Sequence, residues 1–277
     1  MDAQWFPGHM AKGRRAIVNE LSKVDIVIVV GDARAAKRSV SGDFYQRLGK
    51  KKRIFAFNKT DLADTRSVSG FVAGFHESRQ PAFFVDCMKN TGISQLRAYL
   101  KEQQKDLRFS REIRCMACGI PNVGKSSLIN AIAKRSANKA ENRPAVTRAL
   151  KWIRVEGSFY LLDTPGILEP SFSSPEDAFA LAAIGCVKNT GYDEGELVIK
   201  IIEFMQQSYP DLLAGKYKLT TVDKEAIELY EDIARSRGFL RKGGVVDEQR
   251  ASQAIIADMQ NGRIGKIAFD FWENNGE

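Results

Sequence analysis

Residues 119–126 read Gly-Ile-Pro-Asn-Val-Gly-Lys-Ser, after the apolar run "EIRCMACG" (112–119) and before "SLINAIAKR" (127–135). That spacing, G-x-x-x-x-G-K-[ST] between a strand and a helix, limits the local fold to strand, tight loop and helix N-terminus. The glycines let backbone N–H groups wrap a β-phosphate at the positive end of a helix. Lys125 brings a charge to the β and γ oxygens, and Ser126 offers a hydroxyl to Mg²⁺.

The flanking sequence builds the sheet that such a loop needs. "DIVIVVGD" (25–32), "RIFAFNK" (53–59), "AFFVDC" (82–87) and the run before the loop are short apolar stretches closed by Gly, Asn or Asp. Buried parallel strands look like this. Helices are expected at 10–23, 42–49, 65–77, 92–106 and 125–135, where apolar residues recur three or four apart. The alternation predicts an α/β domain with a mostly parallel sheet. "LKWIRVEGSFYLLDTPG" (150–166) reads as a hairpin turning at Glu-Gly-Ser. After it, "ILEPSFSSPED" has linker texture, with a helix beginning at Asp177 or a neighbour. "DKEAIELYEDIARSRG" and "VDEQRASQAIIADMQNG" then carry helix start and stop signals, with Asp247 as N-cap and Gly262 as terminator. The predicted division is an α/β domain over 1–168, then a linker and small helical domain over 169–277.

"NKTD" (58–61) closes the second apolar run. Ligands of open α/β sheets bind at the carboxyl ends of strands, and Asp61 there can accept from guanine N1–H and the 2-amino group. Adenine offers no such donors, which also disfavours a P-loop kinase. "DTPG" (163–166) supplies Asp163 for the metal shell and the Gly166 amide for a γ-phosphate, and Thr147 in "PAVTRAL" stands where a second Mg²⁺ hydroxyl is needed. Their order along the chain is base motif (58–61), base-supporting "DCMK" (86–89), phosphate loop, Thr147, "DTPG", or G4-G5-G1-G2-G3. That is a circular permutation, and one made at exposed neighbouring termini keeps the core contacts.

Composition bears on partners and compartment. Lys and Arg number 42 against 34 Asp and Glu, a formal charge of +8, with basic runs at 50–53 and 235–242. A polyanionic partner is favoured over a merely solvated basic face. "DIVIVV" is far short of the roughly 20 apolar residues that span a bilayer, and the first fifteen residues lack the apolar centre of a secretory signal. A cytoplasmic protein with no membrane contact is expected. Four cysteines form no disulfide framework, and Cys115 and Cys118 of "CMAC", on one strand, face opposite sides of it, so a zinc reading is disfavoured.

"WFPGHMAKGRRAI", "NKTDL", "GIPNVGKSSLIN", "LLDTPGIL" and "GGVVDEQRASQAIIADMQNGRIGKI" together resemble the YlqF/RbgA family of circularly permuted GTPases, ribosome biogenesis GTPase A, over the whole chain. The resemblance implies a cytoplasmic, monomeric GTPase that binds GTP and GDP with Mg²⁺. It implies action late in maturation of the large ribosomal subunit, contact with rRNA and not with DNA, and hydrolysis that is slow until the subunit stimulates it. It also implies Asn58, Lys59, Thr60 and Asp61 on guanine, Asn122, Val123, Gly124, Lys125, Ser126 and Ser127 on phosphates, Ser126, Thr147 and Asp163 at Mg²⁺, and Gly166 at the γ-phosphate. Asn122 is also the residue type that holds K⁺ in potassium-stimulated relatives.

Two departures from that pattern stand out. "DARAAKRSV" (32–40) lacks the proline that usually follows Asp-Ala-Arg, and Asp86-Cys87 replaces the Ser-Ala pair that supports guanine. The position after "DTPG" is Ile167, which can neither donate to nor accept from an attacking water. The permutation sets helix 10–23 where the helix following that motif would lie, so His9, just before it, is the expected water-positioning group. Two functions fit the sequence: an assembly GTPase, or a nucleotide-regulated RNA-binding protein in which hydrolysis plays no part.

Overall fold

In the computed structural model the described residues are 20–40, 48, 51–77, 80–106, 112–134, 151–155, 159–163, 172, 174–187 and 192–270. Glu20 and Leu21 are helical, and the elements lying wholly within the described residues then run β1 (Ile26–Asp32), a 3₁₀ turn (Ala33–Ala35), α1 (Ala36–Ser39), β2 (Lys52–Asn58) and α2 (Thr65–Glu77). They continue with β3 (Ala82–Phe84), α3 (Ile93–Asp106), β4 (Ile113–Cys118), α4 (Lys125–Ile132), β5 (Lys151–Val155) and β6 (Phe159–Asp163). Helices α5 (Pro175–Ala183), α6 (Glu194–Ser208), α7 (Pro210–Tyr217), α8 (Ala226–Ser236) and α9 (Glu248–Gln260) complete the chain. The expected helix 10–23 lies outside the described residues up to 19, as does 42–49 except for Leu48.

The strands form one sheet in the order β3-β2-β1-β4-β6-β5, parallel throughout except for the antiparallel β5–β6 hairpin. This is the expected α/β architecture. All of β1 is buried, with Val27, Ile28, Val29 and Val30 wholly inaccessible. A strand covered on both faces needs an unbroken β-branched run, which is why its sequence does not alternate. Beside it, β2 presents Phe55 and Phe57 to α2, whose Phe71 and Phe75 recur at helical spacing. The ring centroids of Phe55 and Phe75 are 4.2 Å apart, and Phe71 meets Phe75 edge-on at 5.1 Å. This aromatic cluster lies under the strand whose last residue is Asn58.

The chain forms two compact units, Met1–Ser173 with Ala268–Glu277, and Ser174–Ile267. The helical region expected at 169–277 differs in extent: the chain leaves the helical unit at 267 and its tail returns to the sheet unit. The reason is physical. Ala268 is fully buried in the core that contains Val29, Ala33 and Ala36. Beyond it, the Phe269 N–H donates to the Arg34 carbonyl at 2.7 Å, and the Lys37 N–H donates to Asp270 Oδ2 at 2.6 Å. The Arg38 guanidinium closes the clasp on the Phe269 carbonyl at 2.8 Å and on the Asp270 carboxylate.

Within the helical unit, α5, α6 and α9 start at side-chain caps, whereas α7 and α8 start without one. Ser174 accepts from the Asp177 N–H with Pro175 at the first turn, Asp193 accepts from Glu196, and Asp247 accepts from Arg250. Gly262, at φ 67°, follows α9. Leu229 and Ile233 of α8, Ile201 and Met205 of α6, and Ile255 and Met259 of α9 are buried.

Candidate nucleotide site

Four neighbouring strands end side by side: β2 at Asn58, β1 at Asp32, β4 at Cys118 and β6 at Asp163. Asp32 is the register partner of Asn58, and Ala117 that of Asp163. Connections leave β1 toward β2 on one side and reach β4 on the other, so the crevice above β1 and β4 is a topological switch point, where open α/β sheets hold ligands.

The loop from Gly119 to Gly124 fills that crevice. A side chain at Gly119 would put its Cβ 2.3 Å from the Val30 carbonyl, so only glycine lets the loop pass so close to β1. Gly124 sits at the start of α4 with φ 94°. Asn122 holds φ 58°, a left-handed conformation that asparagine adopts more readily than most side-chain residues. Lys125 is buried, and its Nζ curls back to donate to the carbonyls of Gly119 at 3.0 Å and Ile120 at 2.6 Å. The ammonium therefore lies over the loop, where phosphate oxygens would compete for it. Val123 is buried and Ser127 half-buried on the same turn.

Ser126 Oγ lies 3.4 Å from Asp163 Oδ2. A hydroxyl and a carboxylate of this kind fit Mg²⁺, a hard cation that takes one or two protein oxygens and completes its octahedron with phosphates and water. Burial pushes the Cys118 thiol up to about 12 and the Cys115 thiol higher still, so neither offers a thiolate to a metal near neutral pH.

Asn58 is the joint of the base motif. Its Nδ2 donates to the Val123 carbonyl at 3.0 Å, and its Oδ1 accepts from the Cys87 N–H at 3.2 Å. The Thr60 N–H donates to the Val85 carbonyl at 3.3 Å, tying the motif to the end of β3, and Asp61 is half-buried in the turn that follows. The buried Asp86 turns its Oδ1 on the N–H groups of Met88 at 2.8 Å and Lys89 at 3.0 Å. That carboxylate is a loop-builder, a use that a Ser-Ala comparison did not suggest. Sequence reading also passed over Asp32 and Arg34, whose only signal was the "DAR" that closes an apolar run. His9, Thr147, Gly166 and Ile167 lie outside the described residues.

A family model described as a 50S ribosome-binding GTPase matches residues 114–235. Ribosome biogenesis GTPase A of Bacillus cereus is 35% identical over 100% of this chain and 96% of its own. The chain belongs to the ribosome biogenesis GTPase A family. A second relative so named, from Thermotoga maritima, is 30% identical over 96% of this chain and 93% of its own. Mitochondrial GTPase 1 of Schizosaccharomyces pombe is 32% identical over 99% and 92%. The crystal structure of GNP-bound YlqF from T. maritima superposes with a TM-score of 0.63 at 27% identity, covering 93% of this chain and 97% of that one. Members of the ribosome biogenesis GTPase A family are GTPases, and this chain is accordingly a GTPase that binds guanine nucleotide. Among the described residues no helix is long and apolar enough to cross a membrane.

Proposed function

We propose that this chain is a cytoplasmic, monomeric GTPase for late maturation of the large ribosomal subunit, whose nucleotide state gates its contact with rRNA and whose hydrolysis drives release. The observation that carries the reading is Asn58, which bonds the phosphate loop and the Cys87 loop at once and so joins base recognition to phosphate binding. On this reading Asp61 accepts from guanine, Lys59 and Thr60 shape the base turn, and Cys87 with Asp86 builds its far wall. The amides from Asn122 to Ser127 cradle the phosphates, and Lys125 leaves the Gly119 and Ile120 carbonyls for phosphate oxygens. Ser126, Asp163 and Thr147 would hold Mg²⁺, which would offset phosphate charge when bound. Gly166 meets the γ-phosphate, Asn122 holds K⁺, and His9 positions the attacking water in place of Ile167.

The basic cluster at the end of α8 and in the loop after it supports contact with a polyanion. Arg235, Arg237, Arg241 and Lys242 are all exposed, although Arg235 also pairs with Glu231 at 2.9 Å and Arg241 with Asp247 at 3.2 Å. Phosphate contacts of this kind release counterions, so affinity for the subunit should fall steeply with salt. The test is GTP turnover with and without large ribosomal subunits, in K⁺ and in Na⁺, for the parent and for His9→Ala. Stimulation by subunits that is lost in His9→Ala, by about 10- to 10⁴-fold in kcat, fits the proposal. Turnover indifferent to subunits removes it, and parent-like turnover of the variant moves catalysis to the ribosome or the cation.

A further inference from the structure

The carboxylate of Asp32 is fully buried and serves two cations. Its Oδ1 accepts from Arg34 Nε at 2.9 Å and from the Arg34 N–H at 3.1 Å, and its Oδ2 accepts from Arg34 Nη2 at 2.8 Å. That fork alone satisfies both the charge and the geometry of an aspartate–arginine pair. Yet Lys59 Nζ also reaches Oδ2, at 2.8 Å. A third ionic group on a pair that is already neutral requires a separate reason, because the Lys59 side chain is 24% exposed and its stem is long enough to hold an ammonium in water instead. The backbone points the same way. Lys59 sits at φ 65°, strained for a lysine, on the turn that carries Asp61. Asp32 is itself fixed from behind, its N–H donating to Ser39 Oγ at 3.0 Å, and it lies in register with Asn58.

We propose that Asp32 is a positioning residue of the guanine site: it holds Lys59, and through Lys59 the turn that presents Asp61, while Arg34 keeps the carboxylate charged and oriented. The proposal rests on the nucleotide reading of residues 58–61. The β1–β2 register pairs Asp32 with Asn58 and so sets the Asp32 backbone beside the residue that immediately precedes Lys59. The arrangement gives the protein a base site that is formed before the nucleotide arrives, which lowers the ordering cost of binding.

The test is a double-mutant cycle in nucleotide affinity, with thermal unfolding followed in parallel on the full chain. Lys59→Ala should weaken binding of a fluorescent GDP by about tenfold or more, and Asp32→Asn by a similar factor. The double variant should bind no more weakly than Lys59→Ala, since without the lysine Asp32 has nothing to position. A purely structural Asp32 would instead lower affinity by the same factor in both backgrounds, and that result, or parent-like affinity in Asp32→Asn, overturns the proposal. Unchanged affinity in Lys59→Ala alone would remove residue 59 from the site, so the base reading itself would be at fault. Should Asp32→Asn leave the buried Arg34 uncompensated and prevent folding, Asp32→Asn/Arg34→Met removes both buried charges and carries the same comparison.

Discussion

Asn58 Nδ2 and the Val123 carbonyl, 65 positions apart in the chain, are joined by a 3.0 Å hydrogen bond inside the protein. Gly124 packs directly against that amide: a Cβ there would lie 2.2 Å from Asn58 Nδ2. The Gly119–Gly124 loop and the residue that opens "NKTD" thus share one packing constraint.

Gly124→Ala should therefore damage the site twice, by strain at φ 94° and by pushing Asn58 off Val123. The expected cost is about 1–3 kcal/mol of stability from the backbone alone, with nucleotide affinity reduced further. Urea unfolding and a nucleotide titration on the same preparation measure the two effects. Wild-type values in both would show that the loop can move away from Asn58.

Asp61→Asn exchanges a paired acceptor for an amide that turns a donor toward guanine's own donors. GTP affinity should fall sharply, and xanthosine nucleotides, whose C2 carbonyl can accept from the new amide, should become the better ligands. A competition titration of the two bases decides it; a variant that still prefers GTP would displace Asp61 from the base.

Acid stability should report on Asp32. Burial would raise its carboxyl, but Arg34 and then Lys59 outweigh burial and hold it well below the usual carboxylate range. The unfolded chain therefore takes up a proton near pH 3.9 that the folded chain still refuses. Below that pH the unfolded state binds more protons, so stability rises with pH there and the contribution is complete above it. The stability gap between parent and Asp32→Asn should be flat from neutral pH down to about 4 and narrow as pH falls further. A gap that closes near neutral pH would contradict the assignment.

Arg38→Ala should loosen the tail. It removes a donor from the Phe269 carbonyl and the cation beside Asp270, whose carboxyl burial already pushes up. About 1–3 kcal/mol of stability should be lost, and the Phe269 amide, bonded to Arg34, should exchange with deuterium faster than in the parent. Asp270→Asn in the same chain should recover part of the loss, because the uncompensated carboxylate is then gone. Unaltered exchange at Phe269 would mean that Ala268 and the backbone bonds to Arg34 and Lys37 hold the tail without Arg38.

The sheet and the phosphate loop were legible because their chemistry is local. "DIVIVV" has to be a strand covered on both faces, and the Gly119 to Ser126 spacing has to be a loop before a helix. Asn58 was legible as a motif letter, but its bond to Val123 depends on two strand ends meeting across the sheet. Asp32 was harder still, because "DAR" was legible only as a motif of the resembled family, and its pairing with Lys59 depends on the β1–β2 register, which periodicity does not specify. Asp86 looked like a poor substitute for serine until its carboxylate was seen capping its own loop. The return of residues 268–270 left no periodic trace, since three residues after a helix terminator carry no pattern that says which core they enter.

That return alters how the gene can be divided. A stop codon after residue 173 does not yield the sheet unit alone; it yields that unit without Ala268 in its core and without Asp270 against Arg38. The helical unit, contiguous from 174 to 267, can be excised as one piece, whereas its host has to be rejoined across the gap, as for any domain carried as an insertion.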